Sequence, residues 1–108
     1  MGRSVATFGT SGANNVTVTS AYDASANERI FADTSSSAFT INLPVSPTVG
    51  DTLQIIDVAG QFSVNNVTVG RNSEKIQNYS EDLILNLDNA AITFVYSGAT
   101  YGWVFSGL

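Results

Sequence analysis

From residue 28 onward the chain alternates apolar and polar side chains in short runs, and residues that favour turns close each run. A period of two marks half-buried β-strands, because successive side chains of a strand point to opposite faces. The runs fall at 28–33, 38–43, 52–58, 66–70, 83–88, 91–97 and 101–105. In the second of them Phe39, Ile41 and Leu43 take one face and Ala38, Thr40 and Asn42 the other. In the third, Leu53 and Ile55 share one face and Ile56 and Val58 the other, so either both faces are covered or a bulge switches them.

The polar run 34–37 reads as a hairpin connection, and Pro44 and Pro47 end the pairing because proline has no N–H for the ladder. Towards the C-terminus, Leu83, Leu85 and Leu87, then Ile92, Phe94 and Tyr96, then Tyr101, Trp103 and Phe105 follow in phase, which predicts an antiparallel meander. Residues 71–82 break the period and read as a loop with at most one helical turn at Ser80-Glu81-Asp82. The expected fold is all-β, a small antiparallel β-sandwich or barrel of about seven to nine short strands.

Residues 1–22 differ from the rest. They are rich in Gly, Ser, Thr and Asn, with Val5, Phe8, Val16 and Val18 to bury, and read as an extended N-terminal arm ahead of a β domain at 23–108. The alternation of valine and threonine at 15–19 suits a strand, which makes those four residues the candidate arm contacts. Asn14-Asn15-Val16-Thr17-Val18 recurs as Asn65-Asn66-Val67-Thr68-Val69, but the flanking residues do not agree, so the echo reads as reuse of a good strand sequence.

Composition narrows the function. With 108 residues the chain makes one domain with a thin core. Only 12% of residues are charged, while Ser, Thr and Asn supply nearly a third, so the surface is polar without being ionic. Neutral hydroxyls and amides cost less to desolvate than ions, which suits flat β faces that meet other protein. A net charge of −5 with four cations speaks against binding a phosphate backbone, and no nucleic-acid partner is expected. There is no cysteine and no histidine, hence no disulfide framework and no thiolate or imidazole metal site. Residues 1–22 lack the basic start and apolar core of a signal peptide, and no run is long enough to span a bilayer, so synthesis and folding in the cytoplasm of the producing cell are expected, without membrane insertion.

Candidate chemistry is sparse. Glycoside hydrolysis needs two acids held across a sugar bond, but the nine acids sit mostly at strand ends and in turns, where aspartate caps local backbone. Glu81 and Asp82 with Asn78 or Asp88 have no spacing that resembles a calcium loop. No catalytic, metal-binding or cofactor-binding residue is therefore assigned, and the chain reads as a non-enzyme without cofactors. Among the aromatic residues, Tyr96, Trp103 and Phe105 belong to a core or a subunit interface, whereas Tyr79 and Tyr101, in or beside loops, are the candidate ligand or surface contacts.

One resemblance emerges from strand and turn residues together. Arg29-Ile30, Asp33-Thr34, Phe39-Thr40-Ile41-Asn42-Leu43-Pro44, Gly50-Asp51-Thr52-Leu53-Gln54-Ile55-Ile56-Asp57, Asn65-Asn66-Val67-Thr68-Val69, Ile76, Thr93-Phe94-Val95-Tyr96 and Gly102-Trp103, in that order, resemble a β module of tail fibres and other virion structural proteins of tailed bacteriophages. The resemblance covers roughly residues 22–105 and rests on no catalytic motif. It implies a non-enzymatic virion structural protein on the particle surface: a homotrimer acting as a capsid decoration (cement) protein or fibre-like module, with partners such as the major capsid protein. A tail-fibre module that recognises a host surface glycan is the alternative it implies. In a trimer the arm is expected to lie on a neighbouring subunit or on the shell beneath, by strand addition.

Overall fold

The structure, a computed structural model, describes residues 14–106. Val5 and Phe8 lie outside the described residues. Among the described residues nine strands form: β1 (Asn14–Val18), β2 (Tyr22–Asp23), β3 (Glu28–Ala32), β4 (Phe39–Asn42), β5 (Thr52–Asp57), β6 (Val67–Gly70), β7 (Leu83–Leu85), β8 (Ala91–Tyr96) and β9 (Trp103–Ser106). No helix forms among the described residues. The all-β expectation holds, and every predicted run contains a strand.

The pairing differs from an antiparallel sandwich or a closed barrel. The strands make two open sheets, sheet A in the order β1-β3-β5-β8-β9 and sheet B in the order β2-β4-β6-β7. β1, β3 and β5 run parallel to one another, as do β2, β4 and β6; only β5·β8, β6·β7 and β8·β9 are antiparallel. The chain therefore coils, laying one strand into sheet A and the next into sheet B for three turns, and then reverses to finish both sheets with antiparallel strands. Residues 34–37 are thus a crossing between sheets, not a hairpin, and β7 pairs with β6 instead of β8. The physical reason is that alternation decides which face of a strand is buried but not the direction of its neighbour.

Inside the coil, equivalent side chains stack in rows. Val16, Ile30 and Ile55 are in register across sheet A, and Ile41 and Val69 across sheet B. Ile30, Ile41, Ile55, Phe62, Val67, Val69, Phe94 and Trp103 are inaccessible to solvent. β-Branched residues suit these rows because their stiff side chains pack well on a pleated surface. β5 keeps continuous register with β8, so no bulge turns Ile56 inward; it stays half-buried on the outer face, and Val58 is exposed beyond the strand.

Val16 and Val18 of the expected arm lie in β1, paired with Ile30 and Ala32 of the same chain, and Val18 is buried in its core. The repeated Asn-Asn-Val-Thr-Val sequence is used once in sheet A, as β1, and once leading into sheet B, as β6, so the copies do not stack on each other.

Candidate functional site

The segment 71–82 and the start of β9 build the end of the molecule that carries both candidate tyrosines. Ile76 and Tyr79 exchange backbone hydrogen bonds of 3.0 and 2.9 Å around Gln77 and Asn78, whose φ angles are +50° and +67°. Two residues with positive φ inside such a pair make the tight turn that joins strands without splaying them. The turn is moored to β9: the Gln77 N–H donates to the Trp103 carbonyl at 2.7 Å, and the Trp103 N–H donates to the Lys75 carbonyl at 2.8 Å.

Gly102 makes this mooring possible. Its φ is +76°, and a Cβ there would collide with the Lys75 carbonyl. Below the turn, Ile76 is buried and Trp103 packs against Tyr96 with ring centroids 5.3 Å apart. The Tyr96 hydroxyl donates to Glu74 Oε1 at 2.7 Å, and that hydrogen bond to the carboxylate holds the phenol above its ordinary pKa. Tyr96 and Trp103 are core residues, as the strand phase predicts.

Tyr79 and Tyr101 come together on this scaffold. The Asn78 N–H donates to the Tyr101 carbonyl at 3.0 Å, so the two tyrosines sit on adjoining backbone, and they are 68% and 58% exposed. Beside Tyr79 lies a cleft of about 300 Å³, with Gln77, Glu81 and Asp82 on its rim and Leu83 and Phe105 in its lining. It shares Leu83 and Phe105 with a neighbouring apolar groove of about 350 Å³ that follows β7 and is lined also by Ala90 and Ile92. Sequence reasoning finds the tyrosines but not the groove. The available signal is the near-unbroken apolar run Leu83-Ile84-Leu85 with Leu87, too greasy for a strand with one wet face.

Five of the nine acids hold loops. Asp57 accepts three backbone N–H groups, Asp88 accepts from the Ser63 N–H and hydroxyl, Asp82 from the Arg71 N–H, and Asp51 from the Thr48 N–H. Asp33 accepts from the Ser35 N–H, and hydrogen bonding from Ser35 keeps its carboxyl below the usual range. Asp82 and Asp88, weighed together above as calcium ligands, serve different loops. Among the described residues no three or more acids converge to hold a metal ion.

What this end of the molecule offers is contact: two exposed rings, an apolar groove and an edge of β7 with no strand partner among the described residues. No model of a protein family matches the chain, and no curated protein is significantly similar to it.

Proposed function

We propose that the chain is a non-enzymatic building block of a bacteriophage particle, a trimeric capsid decoration or fibre-like surface module that binds other virion proteins such as the major capsid protein. The reading is supported chiefly by the groove along β7: an apolar groove beside a strand edge that has no partner among the described residues is costly to a lone chain and favours cover by another protein. The sparsely charged outer surface and the engagement of five acids in loop closure agree with it. The residues that carry the resemblance to phage β modules supply the particle context, including Ile30 and Ile55 in the rows and Gly102 at the mooring. In this reading the protein is made in the host cytoplasm and ends on the virion surface.

Saturable binding of the purified chain to capsids at a fixed number of copies per particle tests the proposal. Capsids that bind none, under conditions where the chain stays folded, would refute it. A second reading has its own observation: Tyr79 and Tyr101 stand exposed on adjoining loops beside a cleft with amide and carboxylate groups, the materials of a saccharide site. It expects binding to host cells or a surface glycan that Tyr79→Ala or Tyr101→Ala weakens about tenfold, a typical loss for one stacked ring.

A further inference from the structure

The cleft of about 300 Å³ beside Tyr79 has room for one long side chain. Ile76, Leu83 and Phe105 make its lining apolar, and Tyr79 adds an exposed aromatic residue. Gln77 is fixed at the rim, since its Oε1 accepts the Phe105 N–H at 2.9 Å. Glu81 and Asp82 complete the wall with two carboxylates. Asp82 Oδ1 accepts the Arg71 N–H at 3.0 Å. Every other acid outside the cleft has a donor too: Asp23 accepts from Asn42, Glu28 from Tyr22 and Ser25, Glu74 from Tyr96, and the remaining four from loop N–H groups. Glu81 alone has none among the described residues. Nor do the three cations among the described residues turn to it, because Arg29 donates to Gln54, Arg71 to the Glu74 carbonyl and Lys75 to the Thr100 carbonyl.

We infer that this cleft receives an arginine side chain of a partner protein, with the guanidinium between Glu81 and the Tyr79 ring. The inference rests on the assembling reading above and names the chemistry of the partner. Each part of an arginine has its counterpart here. The planar, permanently charged fork pairs with carboxylate oxygens and stacks on an aromatic face, while the methylene stem lies along apolar surface. Leu83 and Phe105 also line the groove along β7, so apolar residues that flank the arginine have a place beside it. The turn is already held by its bonds to β9, so little order is lost on binding.

Charge selects the occupant. The chain carries a net −5, so a second copy brings its own excess of acid to this corner, whereas a basic partner is drawn to it. A divalent cation fits poorly, because calcium takes six to eight oxygens and the cleft offers two carboxylates against an apolar lining. A lysine ammonium is a strongly hydrated point charge that cannot stack flat on a ring, and it fits less well than the guanidinium.

Titration of the ¹⁵N-labelled full-length chain with acetyl-arginine amide, at constant ionic strength, tests the site. The inference expects saturable shifts of the Gln77, Tyr79, Glu81 and Asp82 amides, and none with acetyl-citrulline amide, which has nearly the same shape without the charge. Glu81→Gln should weaken binding about fivefold and Tyr79→Leu about threefold. Both positions are exposed, and the unchanged remainder of each amide spectrum shows that the fold is kept. Equal shifts from citrulline, an undiminished affinity in Glu81→Gln, or no response to arginine overturns the inference. A response to glucosamine and not to arginine also overturns it, in favour of the saccharide reading. The titration needs no particle. Capsids that bind no chain therefore sink the virion reading alone, and a chain that binds capsids but not arginine sinks this site alone.

Discussion

Replacing Asp57 by alanine removes the most heavily used carboxylate in the molecule. Asp57 ends β5 and is 4% exposed. Its Oδ1 accepts the Gln61 N–H at 3.1 Å; its Oδ2 accepts the Phe62 N–H at 3.1 Å and the Asn89 N–H at 3.0 Å. One side chain thus ties the turn after β5 to the turn before β8. Hydrogen bonds to a charged group contribute about 1.5–3 kcal/mol each. The Phe62 residue is inaccessible, so its N–H would lose its partner outright, whereas Gln61 and Asn89 are exposed and water can replace part of what they lose. Counting the first bond in full and the others at about half gives a cost of roughly 3–6 kcal/mol, a large share of the 5–15 kcal/mol that usually holds a domain together. Urea unfolding at fixed protein concentration measures it. The midpoint should fall with the slope unchanged, and the melting temperature should drop by more than about 12 °C. Asp57→Asn keeps one oxygen but turns an amide NH₂ towards an N–H, so it should cost less than alanine and more than about 1 kcal/mol. An Asp57→Ala variant within about 1 kcal/mol of the parent would refute the claim that this carboxylate holds the two turns.

Other expectations follow from single contacts. Gly102→Ala forces a side chain into positive φ against the Lys75 carbonyl and should cost at least about 2 kcal/mol, with faster amide exchange at Gln77 and Trp103 as the sign that the 71–82 segment has come off β9. Thr34 is inaccessible, and its hydroxyl has no hydrogen-bond partner among the described residues, so isosteric Thr34→Val should stabilise by about 1 kcal/mol in thermal unfolding, and a loss of that size would contradict the placement. Tyr22 and Tyr96 donate to Glu28 and Glu74, which raises both phenols above 10.0. The folded state then holds protons that the unfolded chain releases, so stability is complete below pH 10 and falls as pH rises through the folded values; the Tyr22→Phe/Tyr96→Phe chain should lose most of that alkaline slope. Asp33 acts at the other end of the scale: its lowered carboxyl contributes above 3.8, and the contribution disappears as the pH falls through the folded value.

How far the sequence specifies this fold depends on the length scale. Alternation at Phe39-Thr40-Ile41-Asn42 and at Thr52 to Asp57 places the strands and their buried faces correctly, because burial of every second residue is a local demand. Which strands meet is not local. Asn14 aligns with Glu28 and Glu28 with Leu53, so successive turns of the coil differ in length and leave no fixed repeat to find. β2 is only two residues long, too short for any pattern, and its place is set by alignment of Tyr22 with Ile41. The segment 71–82 carries Asn and Ser where a left-handed backbone is needed, a turn signal, but its docking on β9 depends on Gly102 some distance along the chain. For the candidate site, Tyr79 and Tyr101 stand out as aromatic residues beside turns, while the groove appears only once β7 and β9 belong to different sheets.

A chain that works by contact between neighbours, as proposed, reveals it in its mass in solution. Sedimentation equilibrium of the full-length protein over micromolar concentrations should give three times the 11.4 kDa of one chain. A single species of 11.4 kDa at every concentration, with the fold intact by circular dichroism, would contradict the account.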